Sequence, residues 1–267
     1  MIIVGELINS TRKKVKEAME KNDEEYIKNL AIKQDKAGSD FIDVNAGAFV
    51  FDEVKKLEWA INIIQEVTKK PLAIDSPRPE ALELGLKMHK NGKPLINSIT
   101  KESERWKKVL PLALEYDSYI LGLCIDDNGI PEDADTRFKI ASSIINDLVK
   151  EGKKIEDIAI DPITNPLSVN TTYGLVLLDT VKRIKKEFPE VKVIAGLSNI
   201  SYGLPARKQI NRAFMVMAMT YGMDGALIDP LDPIMISLIK ATEALLNKDP
   251  YCANYLKAYR EGTVVKT

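Results

Sequence analysis

Histidine and cysteine are scarce in this sequence: 267 residues contain 1 His and 2 Cys. A zinc site draws on several closely spaced His or Cys ligands, so no standard zinc site is expected and no metal ligands are assigned. A Ser-His-Asp or Cys-His-Asn triad would have to use His89, which lies in Lys87-Met88-His89-Lys90 and reads as a cation at a helix end. Cys124 and Cys252 lie far apart and give no disulfide framework, which fits a reducing cytoplasm. An excess of charge of one sign is missing too. Lys+Arg 38 against Asp+Glu 39 leaves a net charge of -1, which argues against a broad nucleic-acid or membrane surface. No apolar run reaches transmembrane length. The opening Met-Ile-Ile-Val-Gly-Glu has neither a basic n-region nor a long apolar h-region, so no signal peptide is expected.

What is present is the profile of a soluble globular protein, 45% hydrophobic and 29% charged. Short apolar runs alternate with amphipathic stretches from end to end. The candidate strands are Ile2–Gly5, Phe41–Val44, Leu72–Ile74, Pro94–Asn97, Tyr119–Cys124, Ile158–Ile160, Val193–Gly196 and Gly225–Ile228. They do not alternate in polarity, so both faces read as buried, as in a parallel sheet. Between them, Val54, Leu57, Ile61, Ile64 and Val67 mark one face of a helix over Asp52–Lys69. Further helices are read at Glu80–Lys90 behind Pro79, at Arg137–Lys150 with Asp135 or Thr136 as cap, and at Thr171–Lys186, Ala206–Tyr221 and Pro233–Leu246. A terminal helix is expected at about 250–260. Strands alternating with helices over one chain of this length predict a single (β/α)8 TIM barrel, one domain over 1–267. The rival is a doubly wound open sheet, but neither G-x-G-x-x-G nor G-x-x-x-x-G-K-[ST] occurs.

The chemistry of such a barrel sits where the strands end. The residues closing the candidate strands are Glu6 and Asn9, Asp43 and Asn45, Asp75, Asn97, Asp126 and Asp127, Asp161, Ser198 and Asn199, and Asp229. Asp and Asn are also common turn formers and caps, and Asp126-Asp127-Asn128-Gly129 reads as a solvated turn. As a set, however, these carboxylates and amides converge on one mouth. Carboxylates accept hydrogen bonds, while amides both donate and accept. Together they match a flat heterocycle with an amino-amide edge, a pterin or guanine; a magnesium site is the competing use. In the segment Gly196–Arg207, Tyr202 either covers a ring or is an ordinary loop residue, and Arg207 either meets a carboxylate tail or opens a helix.

Seven motifs occur in one order: Gly5-Glu6-Leu7-Ile8-Asn9, Asp43-Val44-Asn45-Ala46-Gly47, Asp75-Ser76, Ile96-Asn97-Ser98, Ile160-Asp161-Pro162, Gly196-Leu197-Ser198-Asn199 and Ile210-Asn211-Arg212. In these the chain resembles the methyltetrahydrofolate:corrinoid protein methyltransferases. It is also similar to the pterin domain of cobalamin-dependent methionine synthase and, more distantly, to dihydropteroate synthase. At Tyr202 the acetogen pattern carries a polar amide, and Gly203-Leu204-Pro205 looks more like the demethylase or methionine synthase branch.

The resemblance implies a dihydropteroate synthase-like barrel with tetrahydrofolate or methyltetrahydrofolate as substrate. Cobalamin, a corrinoid, would be carried by a separate protein. Asp75, Asn97 and Asp161 would hold the pterin edge, and Gly196 and Ser198 would line the ring. Asn199 would hydrogen-bond near N5, Arg207 would approach the aminobenzoate or glutamate tail, and Glu6 and Tyr202 would complete the site. Methyl transfer needs help for a poor amine leaving group. Asn199 is expected to stabilise developing N5–H character, with the proton arriving through water or Asp161. The partner would dock over loops Asp126–Asp135 and Thr164–Thr172, and a cytoplasmic homodimer is the family expectation. The alternatives are a dihydropteroate synthase-like condensing enzyme and a folate-binding subunit without turnover.

Overall fold

The computed structural model describes residues 1–265. Its eight strands are parallel and close into a barrel in chain order. They are β1 (Ile2–Asn9), β2 (Phe41–Asn45), β3 (Leu72–Asp75), β4 (Leu95–Lys101), β5 (Tyr119–Asp126), β6 (Ile158–Asp161), β7 (Lys192–Gly196) and β8 (Gly225–Ile228). The helices around them are α1 (Lys13–Lys21), α2 (Glu24–Lys36), α3 (Glu53–Val67), α4 (Pro79–Met88), α5 (Ser103–Glu115), α6 (Ala134–Lys150), α7 (Tyr173–Glu187), α8 (Arg207–Thr220), α9 (Pro233–Leu245) and α10 (Ala253–Arg260). The closed barrel, not the open sheet, is the fold.

Several details differ from the expectation. β1, β4 and β5 run past their apolar cores, because the ladder continues through polar residues that face the mouth. Helices α1, α2 and α5 are additional to those read from periodicity. α1 buries Val15, Ala18 and Met19 and α5 buries Val109, Leu112 and Ala113, a stripe of one turn in each, and α5 carries Pro111 inside it. The cap of α6 is Asp133, which accepts from Thr136 N at 2.8 Å; Asp135 and Thr136 already lie within the helix. Pro79 does occupy the first turn of α4, and His89 follows its end.

The inside of the barrel is layered by the two-residue period of the strands. Its lower part is apolar, with Val4, Ala73, Leu95, Leu121, Ala159 and Ile194 in one buried cluster. Phe41 and Tyr119 meet edge-to-face below it, centroids 5.9 Å apart. Two residues further along the same strands the interior turns polar: Phe41 gives way to Asp43 and Asn45, Ala73 to Asp75, Leu95 to Asn97, and Ala159 to Asp161. In register, Asn45 stands beside Asp75, and Asp75 beside Asn97. A packed apolar floor thus carries a polar layer at the mouth.

β1 reaches this layer through an irregularity. Between Gly5 and Ile8 the pairing with β2 slips by one residue. The freed Leu7 N–H donates to Gln34 Oε1 of α2 at 3.0 Å. A Cβ on Gly5 would stand 2.5 Å from that same oxygen, so only glycine leaves room for the brace. The bulge is what turns Glu6 towards the mouth.

Candidate active site

Four carboxyl groups and two amides share the mouth. Asn45 Nδ2 donates to Asp75 Oδ2 at 2.9 Å, and Asn97 Nδ2 donates to Asp43 Oδ1 at 3.1 Å. Asn45 is fixed from its other side, because its Oδ1 accepts from Gly47 N at 2.9 Å and from Ser10 Oγ at 3.1 Å. Asp161 accepts from Ile163 N at 2.7 Å through Oδ1 and from Gly196 N at 3.3 Å through Oδ2. Glu6 accepts from Arg12 Nη2 at 3.1 Å and from Ser198 Oγ at 3.4 Å. Each carboxyl is oriented by at least one donor of the protein and keeps lone pairs for a ligand.

Asp75, Asn97, Asp161, Gly196, Ser198 and Glu6 therefore come together, as the sequence led us to expect. Asn199 joins them from the 3-10 turn Leu197–Ser201 that follows β7. Its Nδ2 lies 3.8 Å from where a Cβ on Gly196 would stand, beside the glycine whose N–H meets Asp161. Arg207, expected at the tail of the ligand, is engaged with the protein itself. Its Nε donates to Ser201 Oγ at 3.0 Å and its Nη2 to Ser198 O at 2.7 Å, so it braces the β7 turn. Tyr202 is 65% exposed, with the Arg207 guanidinium 5.8 Å from its ring centre. Asn9 and Asp229 each accept from a backbone N–H two residues on and act as turn residues. Asp126–Gly129 is the turn expected, with Asp127 accepting from Ser103 N at the start of α5.

Sequence reading missed the roles of Asp43 and Asn45. Both were visible as strand-closing residues, and their spacing of two put them on one face with Phe41. Arg105 was invisible beforehand. From α5 it donates to Ser76 O, Pro77 O and Ser98 O, tying the ends of β3 and β4 together beside Asp75. A cleft of about 550 Å³ opens there, lined among others by Asp75, Ser98, Arg105 and Leu123. A second pocket of about 220 Å³ lies between the ends of β1, β7 and β8, lined by Glu6, Arg12, Ser198 and Asp229. Among the described residues, no group of His, Cys, Asp and Glu has the arrangement of a metal site, and no helix is long and apolar enough to cross a membrane.

Burial dominates the electrostatics. It pushes the Glu6 carboxyl up to about 7, against the pull of Arg12 and with a further push from Asp229. It raises Asp75 to about 6 against the Asn45 hydrogen bond, and Asp161 to about 6 against the N–H groups of Ile163 and Gly196. Asp43 is raised well above the carboxylate range by burial and by Asp75. A carboxyl that holds its proton more tightly when folded takes up a proton on folding. The stability it confers is full at acid pH and lost as pH rises through the folded value. Without ligand, the protein is expected to melt at a higher temperature at about pH 5 than at about pH 7.5. Glu6→Gln should flatten the part of that loss that runs from the ordinary carboxylate range up to about pH 7. A melting temperature that rises over this interval would contradict the assignment.

A family model described as "Pterin binding enzyme" matches residues 5–229, and the chain belongs to the pterin-binding enzyme family. It is 37% identical over 267 residues to a methylcorrinoid:tetrahydrofolate methyltransferase of Eubacterium limosum, covering 99% of this chain and 98% of that one. It is 27% identical over 241 residues to methionine synthase of Mycobacterium tuberculosis, with 85% of this chain matching 20% of that longer protein. Among solved structures, dihydropteroate synthase from Stenotrophomonas maltophilia superposes with a TM-score of 0.70 at 14% identity, covering 93% of this chain and 92% of that one. The enzyme from Xanthomonas albilineans, in complex with 7,8-dihydropteroate, gives 0.67 at 15% identity and 92% coverage of both chains. At such identities the likeness is one of fold.

Proposed function

We propose that the protein is a methyltransferase that moves a methyl group between N5 of a tetrahydrofolate and the cobalt of a corrinoid carried by a separate protein. The observation that carries this reading is the oriented ring of Asp75, Asn97 and Asp161 above a buried apolar floor. Its acceptors and amides suit the amino-amide edge of a pterin. The full-length similarity to a methylcorrinoid:tetrahydrofolate methyltransferase supports the same choice of chemistry.

The corrinoid cobalt, as the partner's reactive group, supplies or accepts the methyl group. When methyl leaves N5, the C–N electron pair stays on nitrogen and N5 takes up a proton. In the opposite direction that proton leaves. The chain's own residues orient the ring and manage the proton. Asn199 presents an amide beside Gly196 at the end of β7, and the Gly196 N–H donates to Asp161. Glu6, poised near neutrality, reaches the Ser198 hydroxyl. None of this requires a nucleophile from the protein. Loops Asp126–Asp135 and Thr164–Thr172 expose Ile130 and Val169 beside the mouth, as a docking surface for the partner would. The reading includes a cytoplasmic setting and a homodimer formed through outer helices.

A dihydropteroate synthase-like condensation is the second reading, favoured by the fold. It needs free basic groups for a pyrophosphate near the last strands. Arg207 is engaged with Ser198 and Ser201 and Arg212 forms a bidentate pair with Asp232, while the pocket beside them sets Glu6, Asp229 and Asp232 against Arg12, Arg207 and the exposed Lys208. Mixing the protein with methyltetrahydrofolate and reduced cobalamin, and following the Co(I) spectrum, tests the proposal. Consumption of Co(I) with formation of methylcobalamin is expected. Persistent Co(I), together with turnover of a dihydropterin pyrophosphate, would favour the second reading instead.

A further inference from the structure

Arg137 is the largest fully buried side chain among the described residues, at 0% exposure. Burying a guanidinium is costly unless its N–H groups find acceptors. Its acceptors here are main-chain carbonyls. Nε donates to Pro131 O at 2.9 Å, and Nη1 donates to Pro162 O at 3.0 Å and to Ile163 O at 2.6 Å; Nη2 is buried without a partner. The first turn of α6 is thereby clamped onto the loop that follows Asp161.

That loop holds an unusual residue. Ile163 has φ 65°, a left-handed conformation that β-branched side chains avoid. In this conformation its N–H points back to Asp161 Oδ1 at 2.7 Å, the shorter of the two bonds that orient the carboxylate. The chain of contacts runs from Arg137 to the carbonyls of Pro162 and Ile163, then through the Ile163 N–H to Asp161. We infer that Arg137 is a positioning residue: it holds Ile163 in the left-handed region and so aims the Asp161 carboxylate at the bound pterin. The Arg137 charge also favours the ionised form of Asp161, against the burial that raises it. Besides Arg137 on α6, Asp161 has the buried Cys124 thiol of β5 as an electrostatic neighbour.

The inference rests on the pterin reading of the site, and the experiment keeps the two apart. Arg137→Gln and Arg137→Lys are prepared with and without Ile163→Gly, and each is checked for folding by its thermal melt. Methyltetrahydrofolate affinity is read by calorimetry. Arg137→Gln is expected to weaken binding roughly 30-fold and Arg137→Lys roughly 10-fold, as misplacement of a binding group does. Ile163→Gly should restore at least about fivefold in either background, because glycine takes a positive φ without a Cβ penalty. A merely structural role for Arg137 would not be relieved by that second change. Ligand-free crystal structures of the single variants should show Ile163 outside the left-handed region and the Asp161 carboxylate turned. Binding within about threefold of wild type in both single variants would overturn the inference. So would a loss that Ile163→Gly does not relieve, or unmoved Ile163 and Asp161. If Arg137→Gln does not fold, Arg137→Lys carries the same comparison. If the wild type binds no folate, the pterin reading fails, and the ligand-free structures still decide the positioning role.

Discussion

Asp161→Asn is expected to weaken methyltetrahydrofolate binding about 100-fold, close to the loss of one or two hydrogen bonds to a charged group. The reason lies in how Asp161 is held. Both of its oxygens already accept from backbone N–H groups, Ile163 on one side and Gly196 on the other. An amide has only one oxygen. Whichever way it is turned, its NH2 faces one of those N–H groups, donor against donor. The remaining oxygen must then serve both the backbone and a pterin N–H, and it does so without the carboxylate's charge. Asp75→Asn should cost less, because Asp75 is oriented by the side-chain amide of Asn45 and by no backbone donor in the hydrogen-bond network. Calorimetric titration of the two variants reads the difference directly. An Asp161→Asn protein that melts normally and binds within about threefold of wild type would remove Asp161 from the pterin edge.

Much of this site was legible in the sequence because barrel geometry converts a list into a place. Once the strands are counted, Asp75, Asn97 and Asp161 must stand on neighbouring or nearby strand ends, at one level. The order of strands puts them there among other strand-closing residues, and the family resemblance is what picks these three for the pterin edge. What escaped was everything that depends on side chains reaching across elements. Arg105 and Arg137 sit on helices and nothing in the sequence singles them out, yet both donate to carbonyls of strand-end loops. Arg207 is expected at the ligand's tail, and no sequence signal shows that its guanidinium also holds Ser198 and Ser201. The bulge at Gly5–Ile8 was invisible as well, since nothing in Gly5-Glu6-Leu7 shows that Gln34, a helix and a turn away, will catch the freed N–H. Periodicity reports which face a residue takes; it does not report which loop an arginine will clamp.

Asn199→Ala is expected to slow single-turnover methyl transfer by about 100-fold to 1000-fold, the range typical of losing one hydrogen-bonding group aimed at developing charge. Its effect on folate affinity should be small, because Asn199 is exposed and its side chain orients none of the edge-binding groups. The asymmetry follows from what changes at N5. In the ground state the methylated nitrogen offers a hindered lone pair and a weak acceptor. As the C–N bond lengthens the pair localises, and a donor beside it gains strength only then. An amide cannot release a proton at this pH, so Asn199 would stabilise the nitrogen while the proton comes from elsewhere. Glu6 and Asp161, raised by burial to about 7 and about 6, are the groups placed to hold one. Single-turnover transfer, followed by loss of the Co(I) absorbance at saturating folate, separates the two steps. A variant that loses affinity but keeps its rate constant would make Asn199 a binding residue only. One that keeps both would take it out of the reaction and leave proton handling to the carboxyl ring.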